Sequence, residues 1–175
     1  MILVALGANL PGPNGEPPSA MCAWAVSELG KLPGLAVTGV SHLYETAPDP
    51  PSGQPNYVNG AARLEGSAKP EALLAMLHEI EARAGRVRTT QNAARPLDLD
   101  LIAMDGLVRD AAPILPHPRA HLRAFVLSPL RDVAPEWRHP LTKLTPAEML
   151  AALPGGPPAG AGDAENARQH ALGRA

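Results

Sequence analysis

The apolar run Ile2-Leu3-Val4-Ala5-Leu6, ended by Gly7, narrows the fold more than any other segment. It lacks a basic start and is too short for the apolar region of a signal peptide, so it reads as a central strand covered on both faces. Helical spacing takes over from Ser19 to Leu29 through Cys22, Val26 and Leu29, with Gly30 as a stop. Strand character returns from Leu35 to Tyr44 and again from Tyr57 to Leu64. The intervening Thr46 to Asn56 carries Pro48, Pro50, Pro51, Gly53 and Pro55, which excludes a regular element and suits a lid. Pro70 and Glu71 fit a first helical turn, and Leu73, Leu74, Leu77 and Ile80 form a stripe reaching toward Gly85. Asp98 to Met104 completes the set as a strand. The order strand, helix, strand, strand, helix, strand is the split βαβ order of ferredoxin-like folds, an α+β core with an antiparallel-rich sheet and helices on one face. Beyond it, Asp105-Gly106 predicts a hairpin turn, and Phe125-Val126-Leu127 suits a helix or a strand.

With 175 residues, 45% hydrophobic and 18% charged, the chain is expected to form one domain over 1–150 followed by a Pro/Gly/Ala-rich mobile tail over 151–175. A formal net charge of -2 offers no general attraction to nucleic acid or an anionic membrane, so the arginines clustered at 83, 86, 88 and 95 are a local feature suited to a small anion. The single cysteine, Cys22, excludes a disulfide framework and a multi-cysteine zinc site. These features lead us to expect a cytoplasmic monomer with no anchor.

Asp98-Leu99-Asp100 follows that arginine cluster. In a strand the two aspartates share one face about 7 Å apart, while Leu99 and Leu101 face the other way. Such a pair suits magnesium, which takes a few carboxylate oxygens plus substrate phosphates, and arginine forks suit phosphate oxygens. The alternative is an ordinary half-buried strand whose aspartates are neutralised by salt bridges.

The aspartates belong to an ordered set: Gly7-Ala8-Asn9, Tyr44-Glu45-Thr46, Gln54-Pro55-Asn56-Tyr57-Val58-Asn59, Gly85-Arg86-Val87-Arg88, Arg95-Pro96-Leu97-Asp98-Leu99-Asp100-Leu101, Pro116-His117-Pro118-Arg119 and Arg123-Ala124-Phe125-Val126-Leu127. From Ile2 to about Leu150 the chain thereby resembles the 6-hydroxymethyl-7,8-dihydropterin pyrophosphokinase family of folate biosynthesis. The resemblance implies transfer of the β,γ-diphosphate of ATP to the pterin hydroxymethyl group with release of AMP. It implies two magnesium ions on Asp98 and Asp100, catalytic roles for Arg86, Arg95 and the two aspartates, and ATP contacts from Glu81, Arg86, Arg88, Arg95, Leu101, His117 and Arg123. It places Thr46, Tyr57, Asn59 and Phe125 at the pterin. Taken without it, Phe125 is a core aromatic, Asn59 a strand-end polar residue, Glu81 a solvated helix carboxylate and His117 a turn residue. The chain departs from the family's usual pattern at Ala8, at Ala93-Ala94-Arg95-Pro96, and in a loop one residue shorter that lacks a tryptophan.

Two rival functions remain open on sequence alone. A non-catalytic ferredoxin-like module binding RNA would interleave aromatics with basic residues on its sheet, whereas Trp24, Trp137, Tyr44, Tyr57 and Phe125 are all the aromatics here. A degenerate homologue would bind nucleotide without transferring diphosphate.

Overall fold

Strand β1 (Ile2–Ala8) is buried along its whole length, and its two faces belong to two different cores. The computed structural model describes residues 1–48, 50–86 and 93–154. From β1 the chain runs through α1 (Pro18–Leu29), β2 (Leu35–Val40), β3 (Tyr44–Thr46), β4 (Tyr57–Gly66), α2 (Pro70–Arg83) and β5 (Asp98–Met104). A single 3-10 turn (Ala120–Leu122), α3 (Ala124–Val133) and α4 (Pro146–Ala152) follow. Proline at the first turn starts α1, α2 and α4, where its missing N–H is not needed. Thr145 and Glu148 add a reciprocal capping box to α4.

The sheet order is β2-β4-β1-β5 with every pairing antiparallel, and β3 adds to β4. The expected ferredoxin-like order is therefore present. Ile2, Val4, Leu6 and Ala8 join Leu73, Leu77 and Ile80 of α2 and Met21, Cys22, Ala25 and Leu29 of α1 in the first core. Leu3 and Ala5 join Val126, Leu127 and Leu130 of α3 and Met149 and Leu150 of α4 in the second. A bulge opposite Leu3 and Val4 leaves Ile102 without its own partner on β1.

Three expectations need correction. Helices cover both faces of the sheet, not one, because residues 124–133 form α3 and shield the face that α1 and α2 leave open. The predicted strand from Leu35 to Tyr44 is broken at 41–43. There Ser41 keeps one backbone bond, its N–H to Ala61 O at 3.0 Å, while its hydroxyl accepts the Ala61 N–H at 2.8 Å and Asp132 takes the His42 N–H at 3.1 Å, so side chains take over part of the ladder. Asp105-Gly106 does form a turn, but the chain returns through one bridge, Arg109 with Leu115, and gives β5 no hairpin partner. Arg88 and the tail from 155 onward lie outside the described residues. Among the described residues no helix is long and apolar enough to cross a membrane.

Candidate active site

Antiparallel register lines up one residue from each of three strands: Asp98 lies opposite Gly7, and Gly7 opposite Asn59. All three face the α3 side, above the second core, where the strand ends open into a cleft of about 300 Å³. Gly7 forms part of its floor. A Cβ placed there would lie 3.4 Å from Asn59 Oδ1 and 3.9 Å from Asp98 Cβ, so larger side chains at this position would fill the cleft.

On one bank stands a charge cluster. Arg86 donates through Nη1 to both Glu81 Oε1 and Asp98 Oδ1, and Arg95 Nη2 pairs with Asp98 Oδ2 at 2.8 Å. Glu81 also accepts the Leu99 N–H at 2.8 Å, which caps the open edge of β5. Burial works against the Arg86 charge, but Asp98 and Glu81 outweigh it and raise its pKa. Arg95 carries a buried Nε with no hydrogen-bond partner among the described residues.

Asp100 differs from Asp98. It makes no ion pair among the described residues, and burial, reinforced by the charge of Asp98, raises its pKa against the pull of His117, Arg95 and Arg123. His117 is held by its N–H on Ile102 O at 2.8 Å, and burial lowers its pKa although Asp100 opposes this. Arg123 ends the 3-10 turn and places its guanidinium carbon 5.5 Å from the Phe125 ring centroid. Phe125 sits at the start of α3, half-buried, touching both the second core and the cleft.

On the opposite bank Asn59 donates to Thr46 Oγ1 at 2.7 Å, and Tyr57 donates to Gln54 Oε1 at 3.0 Å. Ala47, Pro48, Pro50 and Ser52 continue the wall. The structure thus brings Thr46, Tyr57, Asn59, Arg95, Asp98, Asp100, Arg123 and Phe125 into one cleft. Arg86 and Glu81 stand behind Asp98, and Glu81 is 2% exposed rather than the solvated carboxylate of the simplest reading. Leu101 does not bring its side chain to the cleft; it is buried in the first core. Cys22 is buried away from the site, with its thiol pushed up to about 12 by burial, and serves packing.

The sequence alone gives Asn9 no role beyond its place in Gly7-Ala8-Asn9, yet it is 2% exposed and bonded to both banks. The signal available was its place directly after a buried strand, where an unpartnered amide would be costly.

Paired carboxylates on a strand end, ringed by arginines and faced by a histidine, suit the class of enzymes that transfer phosphate groups from a nucleotide. Comparison narrows the class to one family. The family model described as 7,8-dihydro-6-hydroxymethylpterin-pyrophosphokinase (HPPK) matches residues 3–135, and the chain belongs to that family of ATP-dependent diphosphotransferases. The 2-amino-4-hydroxy-6-hydroxymethyldihydropteridine pyrophosphokinase of Pseudomonas aeruginosa is 39% identical over 87% of this chain and 91% of its own length. The protein of the same name from Methylorubrum extorquens is 36% identical over 78% of this chain and 91% of its length. Folic acid synthesis protein fol1 of Schizosaccharomyces pombe is 36% identical over 74% of this chain, which spans 18% of that longer protein.

Proposed function

We propose that this cleft transfers the β,γ-diphosphate of ATP to the hydroxymethyl group of 6-hydroxymethyl-7,8-dihydropterin, a step of folate biosynthesis, with the residues in the following roles. The observation that carries the reading is the lateral line Asp98, Gly7, Asn59, which sets a cation-binding carboxylate and an amide suited to a heterocycle on the same floor. Asn59, with Thr46, presents paired polar groups to the pterin edge, and Phe125 and Tyr57 offer aromatic faces to its ring.

The pterin hydroxymethyl oxygen attacks Pβ, the bond from Pβ to the oxygen bridging Pα breaks, and AMP leaves with that oxygen and its electron pair. The hydroxyl proton passes to solvent. Arg95, Arg123 and His117 hold the migrating diphosphate and align the attacking and leaving oxygens. Arg86 acts through Asp98 and Glu81, which it orients. Leu101 contributes main-chain groups, since by alternation they point to the same open edge as the Leu99 N–H. Arg88 belongs to the same reading as a nucleotide contact.

Asp98 and Asp100 fit magnesium: they share a face of β5, and Asp100 is a half-buried acid beside a like charge, an arrangement that a cation relieves. Asp98 and Asp100 would hold the two Mg2+ ions of this reading, which would supply charge neutralisation for the phosphates. We take the working unit to be a single copy acting on small molecules. Incubation with ATP, Mg2+ and the hydroxymethyl dihydropterin should yield AMP and pterin diphosphate in equal amounts. Release of ADP, or no pterin product, refutes the reading.

A further inference from the structure

The Asn9 carboxamide joins the two banks of the cleft. Its Oδ1 accepts the Arg95 N–H at 2.9 Å, and the Asn9 N–H returns a bond to Arg95 O at 3.1 Å. Its Nδ2 donates to Gln54 Oε1 at 3.1 Å and Pro55 O at 3.3 Å. The same Gln54 oxygen accepts the Tyr57 hydroxyl at 3.0 Å, and the Tyr57 ring centroid lies 6.0 Å from the Arg95 guanidinium carbon. These contacts form a closed circuit: Arg95 main chain, Asn9, Gln54, Tyr57, Arg95 side chain. Each member is held by its neighbours in the circuit, so a shift at one is felt by the next.

We propose that Asn9 is a positioning residue that couples the two substrates energetically, by tying the arginine on the phosphate bank to the tyrosine on the heterocycle bank. The inference rests on the diphosphate-transfer reading for the identity of the two ligands. Phosphate drawing on the Arg95 side chain pulls at the loop through which Asn9 holds Gln54 and Tyr57, so filling one bank orders the other and the second ligand binds to a wall already arranged. Asn9 touches neither reacting atom in this account.

The test is calorimetric titration of the full chain with 6-hydroxymethyl-7,8-dihydropterin, with and without a non-hydrolysable ATP analogue plus Mg2+. The wild-type protein should bind the pterin at least about tenfold more tightly when the analogue is present. Asn9→Leu removes both halves of the junction and should bring that ratio to within about twofold of one, with affinity for the analogue alone changed less than about threefold. Asn9→Asp keeps the acceptor for the Arg95 N–H but loses the donor to Gln54, so it should also abolish the coupling. Gln54→Leu breaks the same junction from a surface loop and carries the test if the Asn9 variants do not fold. A folded Asn9→Leu or Gln54→Leu protein that keeps the wild-type ratio overturns the proposal, as does a wild-type ratio of one. Failure to form AMP would overturn the proposed function instead. The junction is then read without ligands: Asn9→Leu should speed amide exchange at Arg95 and across the cleft at residues 54–57, and unchanged exchange at 54–57 overturns the proposal.

Discussion

The two aspartates of β5 should respond in opposite ways when each is replaced by asparagine. Asp98 is paired to Arg86 and Arg95, with the three side chains only 19%, 15% and 17% exposed. Removing its charge leaves two half-buried guanidiniums with less compensation, which costs about 2 kcal/mol when a fully buried case costs about 3–5. For a chain of this size that is a fall in Tm of about 4–8 °C. Asp100 has no such partner among the described residues and sits desolvated beside Asp98, so Asp100→Asn relieves a like-charge contact and should raise Tm by about 2–4 °C, or about 1 kcal/mol. Turnover should nevertheless fall at least about 1000-fold in both, because each loses one side of the proposed magnesium site. Thermal unfolding in chelator, which separates the protein's own charges from any metal, together with AMP formation in magnesium, gives both readings. An Asp100→Asn protein that melts below the wild type refutes the electrostatic argument, and near-normal turnover in either variant refutes the metal assignment.

Three further outcomes are expected. Arg95→Ala should slow single-turnover chemistry about 100-fold or more while weakening binding of the ATP analogue less than about tenfold, with lysine rescuing only partly for want of the planar fork. A marked loss of Tm with the folded fraction reacting at the normal rate would make Arg95 a structural ion-pair residue. Gly66→Ala should destabilise the fold by more than about 2 kcal/mol, because a Cβ there meets Gly34 O at 2.1 Å and the backbone holds φ at +132°; a urea midpoint equal to the wild type's would contradict this. His139 is buried, and burial and then neighbouring His121 lower its pKa below the ordinary 6.5. The native state therefore holds it neutral, and its stabilising contribution is present above pH 6.5 and lost as pH falls through the lowered value. His139→Gln should shrink the loss of Tm between pH 7 and pH 5.5 by a few degrees; an undiminished loss would place the acid sensitivity elsewhere.

Local periodicity alone places β1, α1, α2 and β5 within a residue or two, and alternation alone puts Asp98 and Asp100 on one face, because which way a side chain points depends on near neighbours in the chain. The family motifs extend this to Thr46, Tyr57, Asn59 and Phe125, all of which line the cleft. Other features depend on residues far apart in sequence, and only the tertiary structure decides them. At the break between β2 and β3 the His42 N–H is taken by Asp132, ninety residues away. The second covered face of β1, already implied by its unbroken apolar run, is supplied by α3 from a segment whose local pattern suited either helix or strand. Glu81 reads as a solvated helix acid until Arg86 and the Leu99 N–H enclose it. Asn9, a polar residue after a strand in the sequence, becomes the bond between the two banks because register and loop closure bring Gln54 and Arg95 to it from opposite sides. Pairing register and ion-pair choice are set by the energy of the whole fold, and no window of local sequence contains that sum.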